Sequence, residues 1–302
     1  MRPSLQTVMR RSRERVTLVI EPDSLRLLTT EGRRIKRWGS APIPQRTVTA
    51  EGGVIDRAAL ATRLTALWES HSHSEALPRS HVRVAIPGHR IVSKMIVLEP
   101  DPPPDSDQLT ALAAETLPGE TLYRDWQLVG NPTRPELFVI GAKQELVEGY
   151  LAAFADADIA VSMVDAKPLA LIRGIGQRHA LIVDNERSVG TVMIVDEAMP
   201  RRVRFQLLDY PLLMTNEEKI SRLTVALHQV INSYHQGNHA EPLHPAVPVY
   251  LTGLLGDEPL LRQAMEAALG LTVGTVSSSY EFPAAMPVAQ FIANLGLAEK
   301  RS

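Results

Sequence analysis

The residues that could do chemistry are mostly histidines. His235 and His239 stand four apart, which puts two imidazoles on one face of a helix, where a metal ion could bridge them. Glu241 follows, but no cysteine or second carboxylate completes the set. His71 and His73 flank serines in a polar stretch, and His228 and His244 lie with the other two late in the helix and in the loop beyond it. Solvated side chains account for all of them. Hydrolysis by a serine triad would need a sharp strand-to-helix turn, and there is no Gly-x-Ser-x-Gly; Ser277 to Ser279 is a loop run. No phosphate loop and no Gly-x-Gly-x-x-Gly is present. Gly174-Ile175-Gly176 follows a helical pattern rather than a strand and marks a helix end. Glu217-Glu218 suits the positive end of a helix. Trp38, Trp68 and Trp126 fit core or edge anchors better than ligand stackers.

Composition narrows the class. The 302 residues suggest about two domains, or one large fold in lobes. With 44% apolar and 22% charged residues, the chain is an ordinary globular protein, not a disordered tail. No apolar run approaches the roughly 20 residues of a membrane span, and no secretory signal follows the basic start. The absence of cysteine removes thiol catalysis, disulfides and thiolate zinc sites, and suits a reducing cytoplasm. The net charge of −2 argues against a dedicated nucleic-acid binder. Residues 1–16 nonetheless carry five Arg and one Glu, so a disordered basic arm over 1–15 either sits in solvent or touches an anionic membrane surface.

Hydrophobic periodicity then orders the elements. Strands are predicted at 16–20, 25–29 and 35–43, with a hairpin turn at Glu31-Gly32-Arg33. Asp56 caps a helix bearing Leu60, Leu64, Leu67 and Trp68. Residues 80–143 form a β-β-α-β-β block: strands at 81–87 and 91–98 around a Pro87-Gly88-His89 turn, a helix at 107–117, and strands at 122–129 and 137–142. A helix at 144–157, a strand at 159–164 and a helix at 166–178 follow. Strands at 180–184, 190–196 and 201–208 repeat the opening pattern. Thr215 and Glu218 have capping-box spacing and open a long helix. A strand at 247–251, a helix begun by Asp257 and ended at Gly270, and a short helix near 288–295 close the chain. Two β-β-β-α halves predict a duplicated, bilobed α/β fold.

That order, with a subdomain inserted after the first helix, resembles the actin-like ATPases and, within them, the type IV pilus assembly protein PilM family of the FtsA/PilM branch. The matching pieces are short: Ser24-Leu25-Arg26, Ala41-Pro42-Ile43-Pro44, Gly53-Val54-Ile55-Asp56, Val84-Ala85-Ile86-Pro87-Gly88, Val164-Asp165 with Leu169-Ala170-Leu171 and Arg173, and Tyr250-Leu251-Thr252-Gly253. The resemblance implies a bilobed actin-like (ribonuclease H-like, duplicated) fold. Its first lobe would comprise 16–79 and 144–179, with 80–143 inserted, and a reduced second lobe would span 180–302.

Proteins of this fold hold nucleotide between two glycine-containing hairpin turns, with an Asp near each to arrange Mg²⁺ through water. Here the first turn has Val19 in place of the Asp and Glu21 in place of the Gly, and Pro22 removes a backbone donor. Glu21 and Asp23 add negative charge where polyphosphate would lie; like charges about 4 Å apart cost about 4 kcal/mol at an effective dielectric near 20. The second turn keeps Asp184 but continues Asn185-Glu186-Arg187. Only Gly253 survives at the adenosine loop, and Leu208-Asp209-Tyr210 replaces a further glycine pair. The expectation is a pseudo-ATPase without cofactor, whose vestigial cleft retains Ser24, Asp184, Thr191, Thr252 and Gly253.

What the resemblance implies in function is a non-catalytic cytoplasmic scaffold at the inner face of the membrane. It would bind the cytoplasmic N-terminal peptide of a PilN-like inner-membrane protein within the pilus assembly complex. The peptide would lie between the first lobe and the insertion, against Val84, Ile86, Ile91, Met95 and Trp126, although strand residues of this kind serve equally as core. One alternative is a working ATPase or switch binding ATP with Mg²⁺ at an atypical site on Asp184, Thr191 and Gly253. Another is a sugar- or acetate-kinase-like enzyme, which would need an intact phosphate loop. A third is a GspL-like secretion scaffold, normally followed by a membrane span that this sequence does not show before Ser302.

Overall fold

A computed structural model describes residues 14–72, 75–99, 104–119, 121–131, 134–208, 214–236, 243, 247–270, 272–276 and 278–300. The expected basic arm lies almost wholly outside these residues. In the first lobe, β1 (Glu14–Ile20), β2 (Ser24–Glu31) and β3 (Arg34–Pro42) form an antiparallel ribbon. The strands β4 (Val82–Ile86) and β8 (Val161–Ala166) extend it in parallel, giving the order β3-β2-β1-β4-β8. The second lobe repeats the plan. The strands β9 (Ala180–Asn185), β10 (Val189–Asp196) and β11 (Met199–Leu207) form the ribbon, and β12 (Val249–Gly253) lies parallel to β9. A parallel bridge from Val249 to Val273 stands where a fifth strand would be.

Helices fill the layers around these sheets. The outer face of the first sheet, with Leu18, Leu25, Leu27 and Val84, is covered by α1 (Arg57–Ser70) and α3 (Gln144–Asp156) through Leu64, Trp68, Tyr150 and Phe154. Asp56 caps α1 by accepting the Ala59 N–H at 2.9 Å. The outer face of the second sheet is covered by α5 (Asn216–Gln236) and α6 (Pro259–Leu269). Thr215 and Glu218 make the expected reciprocal cap on α5. The cap of α6 is Glu258 rather than Asp257, because Pro259 takes the first helical position.

Between the sheets lie α4 (Lys167–Ile175) and α7 (Ile292–Glu299). They bury Ala170, Leu171, Ile292 and Leu295 between Val19 and Leu28 of one sheet and Ile182 and Met193 of the other. Their crossing is close: a Cβ on Gly296 would lie 1.7 Å from the Ala170 carbonyl oxygen, and one on Gly174 would lie 2.1 Å from that of Ile292. The last helix thus packs between the lobes rather than belonging to the second alone.

The insertion is smaller than the sequence pattern suggests. Its sheet has the order β5-β7-β6, from β5 (Ile91–Val97), β6 (Leu122–Asn131) and β7 (Arg134–Lys143), with α2 (Ser106–Thr116) packed on it. The predicted boundary at residue 80 also takes in β4, which instead pairs with β1 and β8 in the first lobe. A 3-10 turn at Gly88–Arg90 carries the chain from one sheet to the next, so 81–87 and 91–98 are not a hairpin.

Candidate functional site

The hairpin turns of the two ribbons meet in the cleft between the lobes. Ser188 Oγ donates to Asp23 Oδ2 at 2.8 Å, tying one turn to the other. Beneath this bond lies a buried set of charges. Lys167 begins α4, and its Nζ donates to Asp184 Oδ2 at 2.6 Å and to Glu186 Oε1 at 2.8 Å. The same ammonium touches the carboxylate of Glu21. Arg26 grips Glu186 with both terminal nitrogens, Nη1 lying 2.6 Å from Oε1. Thr252 Oγ1 donates to Asp184 Oδ1 at 2.7 Å. Every side chain of this charged set is buried.

Three carboxylates face two cations, so the cluster has one negative charge too many unless a proton is bound. Burial pushes the Glu21 carboxyl up to about 8, and Lys167 only partly offsets this. Burial acts upward on Glu186 too, but Arg26 and Lys167 outweigh it and hold that carboxyl down to about 2. Asp184 is raised by burial against Lys167. Burial therefore favours a bound proton on this set; Asp184 accepts hydrogen bonds from Lys167 and Thr252, whereas Glu21 Oε1 accepts none of good geometry. Lys167 stays charged: burial opposes its charge, and Asp184, Glu186 and Glu21 overcome the burial.

Little space is left. The cavity among Glu21, Lys167, Asp184, Glu186 and Thr191 measures about 10 Å³, the least that one water requires. Ligand pockets run to roughly 300–1,000 Å³. His89 lines this cavity and packs at a tilt of 37° against Phe205, with ring centroids 4.1 Å apart, and its burial lowers its pKa to about 4, leaving it neutral at pH 7.

Of the residues singled out in the sequence, Asp184 and Thr191 line this cavity, and Thr252 reaches it through its hydrogen bond to Asp184. Ser24 does not line the cavity; it opens β2 with its hydroxyl buried and without a hydrogen bond among the described residues. Gly253 ends β12 at φ +82, where a Cβ would lie 2.3 Å from the Asn185 carbonyl oxygen. Its glycine character follows from that close approach. His235 stands in the last turn of α5, and its i+4 companion His239, with His73, Glu241 and His244, lies outside the described residues.

A larger groove of about 390 Å³ opens between the first lobe and the insertion. Its walls include Ile86, Ile91, Ile140, Val147, Leu151 and Leu169, and β8 borders it as an edge strand, paired among the described residues with β4 alone. Of the predicted wall residues, Ile86 and Ile91 lie here. Val84 is packed in the first-lobe core, and Met95 faces a different groove. Trp126 packs with α2, its Nε1 donating to Thr110 Oγ1 at 3.2 Å. These three depart from expectation because strand alternation does not say which face a helix covers.

No family model and no curated protein sequence matches the chain. Solved structures do. One in the PilM-PilN type IV pilus biogenesis complex superposes with a TM-score of 0.71 at 19% identity, over 94% of this chain and 97% of that one. The chain has an actin-like fold. Ethanolamine utilization protein EutJ from Carboxydothermus hydrogenoformans (TM-score 0.54, 13% identity, 99% and 90% covered) shares it. So does the cytoplasmic domain of EpsL, an inner-membrane component of the Vibrio cholerae type II secretion system (0.53, 13%, 95% and 96%).

Within this actin-like fold, sequence reasoning misses the residues that fill the cleft: Arg26, Lys167 and Glu186. Faint signals exist. Arg26 interrupts a buried strand of leucines. Lys167 stands at a helix N-terminus, where the dipole disfavours a cation.

Proposed function

We propose that this chain is a non-catalytic, nucleotide-independent actin-like scaffold of type IV pilus or related secretion machinery. It takes the cytoplasmic N-terminal peptide of a PilN-like inner-membrane protein into the groove beside β8, and that partner holds it at the membrane. The observation that carries the reading is the 390 Å³ apolar groove bordered by a strand edge. An extended peptide can pair its main chain with such an edge and seat alternate apolar side chains in the groove. Support comes from the solved complex in which PilM is assembled with PilN. The weaker likeness to EpsL, at 0.53, keeps a type II secretion setting as the second reading.

The cleft supports the nucleotide-independent half of this reading. Lys167 and the Arg26 guanidinium neutralise Asp184 and Glu186 where Mg²⁺ and phosphate would have to enter. Calorimetric titration tests both halves. ATP with Mg²⁺ at millimolar concentration should give no heat and no rise in Tm, while a synthetic N-terminal peptide of a PilN-like protein should bind. Nucleotide binding would overturn the pseudo-ATPase reading; a peptide that gives no heat would overturn the groove assignment.

A further inference from the structure

A second groove, of about 660 Å³, runs between the insertion and the second lobe. Two edge strands face each other across it: among the described residues β5 pairs only with β7, and β11 only with β10. Each presents a row of backbone N–H and C=O groups without ladder partners. The floor and walls include Ile91, Met95, Val203 and Phe205, and among the described residues no carboxylate lines the groove.

Its charges are all positive. Arg201 is already spent, held by Glu136 at 2.6 Å and Asp196 at 3.2 Å. Lys94 and Arg202 are not. Lys94 Nζ donates to the Thr116 carbonyl and Arg202 Nη1 to the Arg201 carbonyl, each at 3.2 Å. Neither makes an ion pair with a carboxylate among the described residues. On the same strand as Lys94, Val92 and Val97 are 47% and 56% exposed, so β5 is not a fully guarded edge.

We propose that this groove binds an extended segment of a partner protein in which acidic and apolar side chains alternate, added as a strand to the β5 edge. Its main chain pairs with β5. One set of side chains enters among Ile91, Met95, Val203 and Phe205, and the other set brings carboxylates to Lys94 and Arg202. The seven residues of β5 reach about 23 Å at roughly 3.3 Å per residue, enough to register such a segment. The inference is independent of the first groove; only Ile91 is common to both linings.

The test uses the full chain and a fluorescein-labelled peptide of four Glu-Val repeats, with a Lys-Val peptide as control. The Glu-Val peptide should bind, and more weakly as salt rises. The Lys-Val peptide should not bind. The double variant Lys94→Glu/Arg202→Glu, with unchanged Tm, should lose about tenfold or more in affinity, or about 1.4 kcal/mol. Because the chain has no cysteine, Ser93→Cys provides a single thiol on β5. A Glu-Val peptide with a central cysteine should form a disulfide there faster than at Thr62→Cys on α1. No binding, equal binding of both peptides, or unchanged affinity in the double variant would overturn the proposal and leave Lys94 and Arg202 as edge guards.

Discussion

Lys167 Nζ lies 2.6 Å from Asp184 Oδ2, with both side chains buried between the lobes of the fold. The pair joins the start of α4 to the end of β9, and Glu186 and Glu21 converge on the same ammonium. Lys167→Met removes one of two cations from a site holding three carboxylates. Breaking a buried pair from one side costs about 3–5 kcal/mol, because the remaining charge is left without a partner. Urea unfolding should show that loss. A change below about 1 kcal/mol would mean that water already reaches the cluster.

Legibility in the sequence follows range. Both ribbons are plain, because their turns and alternation are local. Asp184 and Thr252 are legible because each is a polar residue at the end of an apolar strand, at corresponding places in a familiar order. Arg26 and Glu186 are 160 residues apart, and nothing local to either reports the other. Glu21 is visible as an intruding charge, but its contact with Lys167 depends on how α4 enters the cleft. The misassignment of β4 has the same origin: its parallel partners β1 and β8 are remote in sequence, while β5 follows at once and imitates a hairpin.

Glu21 makes stability depend on pH in an unusual direction. Its ordinary value of 4.5 applies to the unfolded chain, and the folded carboxyl titrates near 8. Between those values the native state binds a proton that the unfolded chain has released, so this contribution is complete below pH 4.5 and is lost as pH rises toward 8. Urea midpoints should therefore fall from about pH 5.5 to about pH 8.5. Glu21→Gln, which keeps the neutral shape, should flatten that slope. If wild type and variant share one profile, Glu21 is not the group that holds the proton.

Gly253 separates structure from nucleotide binding. Its φ is +82, and a methyl group at its Cβ position would lie 2.3 Å from the Asn185 carbonyl oxygen. Gly253→Ala therefore strains both the backbone and the packing of β12 on β9. Thermal unfolding should register a loss of about 1–3 kcal/mol. ATP should have no effect on the Tm of either protein. A variant of normal stability would leave the glycine without the structural role assigned to it.

Ala142 and Trp126 lie on different sides of the inserted sheet, and substituting each tests the proposed seat of the peptide. Ala142 lines the groove beside β8, whereas Trp126 packs with α2 and Leu109. Ala142→Trp should fill the groove and weaken binding of the PilN-like peptide about tenfold or more, with little change in Tm. Trp126→Ala should do the reverse. It removes a partly buried ring from the α2 cluster and should cost about 2–3 kcal/mol, somewhat below the fully buried range, while peptide affinity stays within about twofold. Calorimetry and urea unfolding on both variants give four numbers. Loss of affinity in Trp126→Ala at unchanged stability would move the peptide to the α2 face, and retained affinity in Ala142→Trp would empty the groove of its assigned occupant.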